Sequence, residues 1–470
     1  MHTDLLIRKG HVVDPLNGVD RVADVAMHNG KITAVADSLD VNNTAEIIDA
    51  SGMLVTPGVV DTHVHLVRAD SGGVPYNMLL RRGVTSALDM RGTIDVFLRE
   101  MRDHGHGITA GCLHALIVGT DLASNDAGRD EVSAAIDKVL EKGALGIKII
   151  GGHFPFTPQT TACIIDECAK RGAYVAIHAG STETSSNIKG MEEAARLADG
   201  RPLHIAHVNA YCRGQVENVL RETERMLACL EQNPNIVSES YLSVMNGTSA
   251  TINEEGLVAS QVTRTCLKRR GYSPDKAGMG QALLDGWASI YATVGGEMDF
   301  LPPEEGHAYW EKSGYNANCS FPINNPVAML AAVTGRRVDG SFTVDSISTD
   351  GGAVPRNVIF ENGIRLVQMK YMTLHDLVAK STLYPARMLG LLNKGQLSPG
   401  ADADVAVFCP ATGKALYTIT GGKVRMAAGV CGHGPGTVAT SPAGKDAVAK
   451  VDIPLVLPEL EKSTFMRGHA

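Results

Sequence analysis

Residues 57–65 read Pro-Gly-Val-Val-Asp-Thr-His63-Val-His65, an apolar run opened by a Pro-Gly turn signal and closed by two histidines. Residues two apart on a strand share a face, so His63 and His65 can reach one cation while Val64 turns away. Neutral imidazole suits zinc and its first-row neighbours, and a water-activating site needs nitrogen and oxygen ligands with one position left open. An isolated His-x-His is a weak signal. Here four later runs end the same way: Gly-Ile-Lys148-Ile, Ala-Ile-His178-Ala, Ile-Ala-His207-Val and Ser-Thr-Asp350-Gly-Gly. Five strand tips could therefore bring four imidazoles, one amine and one carboxylate to one place.

His178 and His207 close buried-strand runs, YVAIH and LHIAH. Either alone reads more simply as a satisfied core histidine. His204 lies three residues before His207, faces away from it in a strand, and reads as structural. Lys148 inside LGIKII would bury an ammonium at a cost of several kcal/mol unless paired or chemically changed. Carbon dioxide could convert its neutral amine, which burial favours, into an anionic carbamate ligand; the simpler alternative is pairing with a carboxylate. For Asp350 the simpler alternative is a cap on the Gly-Gly turn.

The five motifs, with STLYPARMLGLLNKGQLSPGADADVAVF near residue 400, resemble the binuclear branch of the amidohydrolase superfamily (hydantoinase, dihydropyrimidinase and dihydroorotase) over nearly the whole chain. That resemblance implies an α/β fold, a (β/α)8 TIM barrel with a small β-sandwich. It implies two divalent ions, zinc by ligand type, with iron or manganese as alternatives. One is held by His63, His65 and Asp350, the other by His178 and His207, with carbamylated Lys148 bridging. A hydroxide shared by the metals would attack the amide carbonyl while Asp350 takes its proton and returns it to the departing nitrogen.

Between the motifs, strand and helix alternate as a barrel requires. GVTSALDM, GITAGCLHALIVG and NIVSES supply the second, third and seventh strands, and TVDSISTD the eighth. The eighth arrives after a stretch from Tyr241 to Phe342, far beyond an ordinary connection. It is expected to form a lid or substrate wall containing a helix around Gly280 to Val294. Residues 1–54 and 395–430 carry short alternating strand patterns and are read together as a β-sandwich around a barrel at 55–394. The extension at 431–470 is read either as a wrap over a neighbouring subunit or as a loose tail.

The chain has 470 residues, 44% of them hydrophobic, and a formal net charge of −8 with mixed signs, which argues against a nucleic-acid footprint. Lys-Arg-Arg-Gly at 268–271 is a solvated helix end. No basic-then-apolar leader opens the chain and no apolar run approaches a membrane span, so a cytoplasmic protein is expected. Nine cysteines without C-x-x-C spacing read as reduced thiols. Cys319, in NANCSFPINNP, is the one to watch, with packing as the favoured role.

Tyr241 and Asn318 are candidates for holding an oxyanion or an amide edge, and Arg356 for meeting a substrate carboxylate. Arg68, Arg91 and His153 form a weaker group. The expected reaction is hydrolysis of a C–N amide bond in a cyclic amide of hydantoin, dihydropyrimidine or lactam type. Acyclic substrates, N-acyl amino acids or isoaspartyl-type dipeptides, are the alternative. The dihydroorotase pattern places an arginine two residues after the second histidine, where this chain has Val67. A deaminase would carry glutamate three residues after the fifth-strand histidine, where this chain has Ser181, and would lack the bridging lysine. A non-enzymatic scaffold would have lost ligands that are intact here. The expected partner is a small-molecule amide, with neither nucleic acid nor membrane, in a homo-oligomer by family habit.

Overall fold

The computed structural model describes residues 3–40, 43–67 and 72–469. Eight parallel strands (Val59–His65, Val84–Asp89, Thr109–Ala115, Gly146–Ile150, Tyr174–His178, Leu203–Ile205, Ile236–Tyr241 and Ser346–Ser348) pair in chain order. The sheet is curled: Gly351 and Gly352 return to pair with Val64 and His65, and the Thr62 hydroxyl meets that of Ser346 at 2.9 Å. Continuous apolar runs suit strands covered on both faces, as in the fully buried Val84–Asp89.

The covering helices follow the 3.6-residue period. In Arg129–Glu141, Val132, Ala135, Ile136 and Val139 form the buried stripe. The helices at Pro158–Lys170 and Val219–Gln232 start where Thr157 and Asn218 side chains accept first-turn amides. These short crossovers leave the strand ends carrying His65, Lys148 and His178 at one mouth of the sheet.

A second sheet joins the two ends of the chain. Thr3–Asp14, Val19–His28, Lys31–Ala36 and Leu54–Pro57 meet Val405–Phe408, Ala415–Thr420, Lys423–Ala427 and Val430–Cys431, with Leu54–Pro57 antiparallel to Val405–Phe408 at the join. Its own buried cluster includes Ile7, Val25, Met27, Val55, Val405 and Ile419.

The excursion before the eighth strand builds a four-stranded sheet from Thr248–Ser249, Asn318–Ser320, Ser289–Val294 and Glu297–Phe300. Met279, Leu283, Ile290, Trp310 and Cys319 pack beneath it, so Cys319 has the packing role favoured above. The helix expected at 280–294 is corrected. It spans Lys276–Leu284, the chain turns at Gly286 (φ 70°), and Ser289–Val294 is a strand. Alternating β-branched and aromatic residues in SIYATV outweigh the helical reading there.

The C-terminal extension is neither loose nor extended away from its own chain. Thr437–Ala439 lies parallel to Thr109–Gly111, and Leu455–Val456 pairs with it in turn. The fourth parallel strand begins pairing with the third only at Leu113. Residues 109–111 are thus left as an open edge, which the extension covers. All nine cysteines are free, and no helix among the described residues is long and apolar enough to cross a membrane.

Candidate metal centre

His63 and His65 sit on one face of the first strand, as their spacing requires. His65 Nε2 lies 2.8 Å and His63 Nε2 3.3 Å from Asp350 Oδ1. One donor atom from each of these three residues falls within a 4.8 Å group, so they could hold one ion. The His63 ring stands 5.2 Å from that of His207, which is 4.6 Å from His178, so the four imidazoles form one contiguous group.

His207 reaches the group by a backbone device. The sixth strand ends at Ile205, and His207 adopts a left-handed conformation with φ 38°. Without that turn its ring would face away from the interior. Asp350 is also left-handed, at φ 49°. Such conformations cost of order 1–3 kcal/mol each and persist where the surroundings impose them. His204, read from the sequence as structural, lies inside the curl, since Ala176 is in register with both Lys148 and His204, and its Nε2 is buried without a hydrogen-bond partner. His204 Nδ1 is 3.1 Å from the Tyr174 hydroxyl.

Lys148 is 2% exposed, and its ammonium has one close polar neighbour, the Met90 sulfur at 3.2 Å. Burial pushes its pKa down to about 8 against the pull of Glu239 and Asp350. No carboxylate pairs directly with it among the described residues. Burial likewise holds His63, His178 and His207 well below the usual histidine range, in the neutral form that ligates metals. Burial alone would raise Asp350, but Arg356, His63 and His65 keep its carboxyl well below the ordinary range. The Nδ1 atoms of His65 and His207 are buried without a hydrogen-bond partner. Neutral imidazoles, a converging carboxylate, an unpaired buried amine and orphaned ring nitrogens all fit a divalent-metal centre.

Two carboxylates escaped the sequence reading. Glu239, fully buried, accepts from His63 Nδ1 at 2.7 Å, from the His207 amide at 2.7 Å, and from the Ser348 hydroxyl. It therefore fixes the His63 tautomer and holds the His207 turn, the outer-shell task of a carboxylate behind a metal-ligating histidine. The only sequence signal was a charge inside the strand run IVSESY. Asp61 accepts the Thr349 hydroxyl at 2.6 Å and the amides of His63 and Thr349, both at 3.2 Å. It thereby ties the first strand to the turn bearing Asp350, and burial pushes its pKa up to about 7.

The remaining candidates divide. Tyr241 is buried with its ring 6.2 Å from His207. Arg356 is committed elsewhere than expected: Nη2 contacts Asp350 Oδ2 at 2.6 Å and Nε donates to the Asp350 carbonyl at 2.6 Å, so it braces the carboxylate. Asn318 is paired opposite Ser249 in the excursion's sheet. His153 stands at the rim, 5.4 Å from His178, and Arg91 is exposed. Ser181 caps its own turn by accepting the Glu183 amide. Arg68 lies outside the described residues.

A candidate metal centre at one mouth of a curled parallel sheet suits metal-dependent hydrolysis, and sequence comparison specifies the family. The amidohydrolase family model matches residues 54–210 and 310–426, and this chain belongs to that family. A dihydroorotase of Geobacter metallireducens is 23% identical over 461 residues, covering 90% of this chain and 92% of that protein. An N-acyl-D-aspartate deacylase of Alcaligenes xylosoxydans xylosoxydans is 24% identical over 468 residues, covering 87% and 86%. A D-aminoacylase structure, described for its binuclear metal centre, superposes with a TM-score of 0.66 at 17% identity, covering 93% of this chain and 99% of that one. The protein is an enzyme of that family, a hydrolase of non-peptide carbon–nitrogen bonds.

Proposed function

We propose that this chain hydrolyses the C–N bond of a cyclic amide of hydantoin, dihydropyrimidine or lactam type at a centre of two divalent ions, taken as zinc. The eight strands are read as a closed (β/α)8 barrel over 55–394, and residues 1–54 with 395–430 as a β-sandwich. The observation that carries the proposal is Lys148, a buried amine without a carboxylate partner beside four imidazoles and Asp350. Carbamylation would make it the anionic bridge between His63/His65/Asp350 and His178/His207. Adding a short carboxylic acid to Lys148→Ala should restore part of the lost activity. Unaided wild-type activity in that variant would remove the bridge.

When bound, the metals supply an acidified water and Lewis acidity toward the amide carbonyl. The chain's residues do the rest. Asp350, braced by Arg356 through Oδ2, receives the proton of the attacking water and returns it to the departing nitrogen. Glu239 keeps the His63 ring oriented by accepting from Nδ1. Tyr241 lies beside His207, where a phenol can meet the substrate's oxygen as charge develops.

A second reading, hydrolysis of an acyclic N-acyl amino acid, is favoured by the likeness to the deacylase and to D-aminoacylase. The deciding assay uses zinc-loaded enzyme with hydantoins, dihydropyrimidines, dihydroorotate, lactams, N-acyl amino acids and an aminated ring such as cytosine, recording acid and ammonia release separately. Acid without ammonia from a ring supports the first reading, and acid from N-acyl amino acids alone supports the second. Ammonia from an aminated ring would overturn both in favour of a deaminase. The protein is further proposed to be a cytoplasmic homo-oligomer.

A further inference from the structure

Arg213 follows the sixth strand by a short loop and is half-buried. Its Nε and Nη2 both donate to the Asn324 side-chain oxygen, at 3.0 and 2.7 Å. Asn324 cannot turn away, because its amide nitrogen donates to the carbonyls of Ser243 and Met245 at 3.2 and 3.0 Å. The guanidinium is therefore held through Nε and Nη2 on a neutral acceptor. Among the described residues no carboxylate is paired with it, whereas Arg356 spends its charge on Asp350.

Tyr241 lies beside the candidate metal ligands. That ring has His207 6.2 Å away and the Arg356 guanidinium carbon 5.1 Å from its centroid. Burial raises the Tyr241 phenol, and the charges of Arg213 and Arg356 oppose that shift. Met245 O, shared by Asn324 and Arg356, links Arg213 through Asn324 to the arginine that braces Asp350. A partly buried guanidinium without a counter-charge is unfavourable until an anion arrives, and a carboxylate matches its fork bidentately.

We propose that Arg213 binds a carboxylate of the substrate, so that the amides hydrolysed at this centre are anionic: a carboxylated ring or an N-acyl amino acid rather than a neutral ring. This rests on the amide-hydrolysis reading and narrows it. It also moves the carboxylate contact from Arg356 to Arg213.

The test uses two matched pairs, dihydroorotate with dihydrouracil and N-acetylalanine with N-acetylalaninamide, on zinc-loaded wild type, Arg213→Gln and Arg213→Lys. Glutamine removes the charge while keeping a donor for Asn324, and unchanged melting curves check the fold. Wild type is expected to favour the anionic member of at least one pair by about 100-fold in kcat/KM, and Arg213→Gln to lose that preference through KM. The neutral member should change less than about 3-fold, and lysine should fall between. Equal wild-type turnover of both members, or an equal loss on both in Arg213→Gln, overturns the proposal. Calorimetric binding of the four compounds decides independently of turnover. Carboxylate binding that Arg213→Gln abolishes supports the proposal, and binding that it leaves unchanged defeats it. If the carboxylates bind through Arg213 yet no amide is cleaved, the hydrolysis reading fails while the anion site stands.

Discussion

The two mouths of the curled sheet contain similar residues in opposite states. At one, Lys148 is buried beside a thioether, His65 and His207 have orphaned ring nitrogens, and His207 and Asp350 hold left-handed backbone. At the other, Lys380 is equally buried but donates to the carbonyls of Val333 and Val344 at 2.9 and 2.7 Å and faces the Phe342 ring. Nearby, Asp345 accepts the Ser238 amide and meets His469 at 3.1 Å, and Phe465 stacks on Tyr174 at 3.9 Å. Buried polar groups are expected to find partners inside the protein. Where they do, as for Lys380, the reading is structural; where they do not, as for Lys148, the site has room for a partner from outside.

That contrast can be broken most forcefully at Asp350. Asp350→Asn should keep the fold and at least one metal yet lose about 10³-fold or more in kcat, within the range of a lost general acid–base group. Near-wild-type turnover with normal metal content would take proton transfer away from Asp350. Next in size is Glu239→Gln, which leaves His63 without its anionic acceptor and should weaken metal binding by roughly 10- to 100-fold in a competitive chelator titration. An unchanged titration would reduce Glu239 to a backbone brace for His207.

At the opposite mouth the effects should change sides. Phe465→Ala removes a fully buried ring and should cost about 3–5 kcal/mol in chemical denaturation, with kcat within about 2-fold of wild type since Phe465 touches no reacting group. A large loss of kcat at unchanged stability would mean that the extension communicates with the metal centre. The smallest effect is a slope. Burial holds Lys148 near 8 and Lys380 near 7, below the ordinary 10.5 of an unfolded chain. Between those values the unfolded chain binds more protons, so the stability of metal-free, carbon-dioxide-free protein rises with pH. Each lysine contributes up to about 1.4 kcal/mol per pH unit in its window, from its folded value to about 10.5. Lys148→Met and Lys380→Met should each flatten this rise, and an unchanged slope in either would mean that lysine keeps an ordinary pKa when folded.

The ligand-bearing strands were legible because each combines an apolar run with one polar residue at its end, a pattern that survives without knowledge of its neighbours. Glu239 and Asp61 were not. A carboxylate in a strand gives the same local signal whether it faces solvent or a histidine, and only the assembled sheet brings residue 239 to residue 63. Arg356 was out of reach for the same reason: distance along the chain from Asp350 suggests a substrate contact, while the fold turns it onto Asp350 and leaves Arg213, which no motif marks, held on Asn324 without a carboxylate partner among the described residues. The helix expected at 280–294 failed because β-branched residues in a self-contained sheet follow their strand preference. Where the extension docks on its own chain was not legible, because the open edge at 109–111 exists only once the third and fourth strands are staggered.

By itself, then, the sequence determined the order of the strands, the six candidate ligands and the chemistry those residue types favour, since periodicity and donor type are local properties. The tertiary structure decided which charges are compensated. That depends on which atoms meet across the curl of the sheet, and burial makes each such meeting, or its absence, energetically decisive.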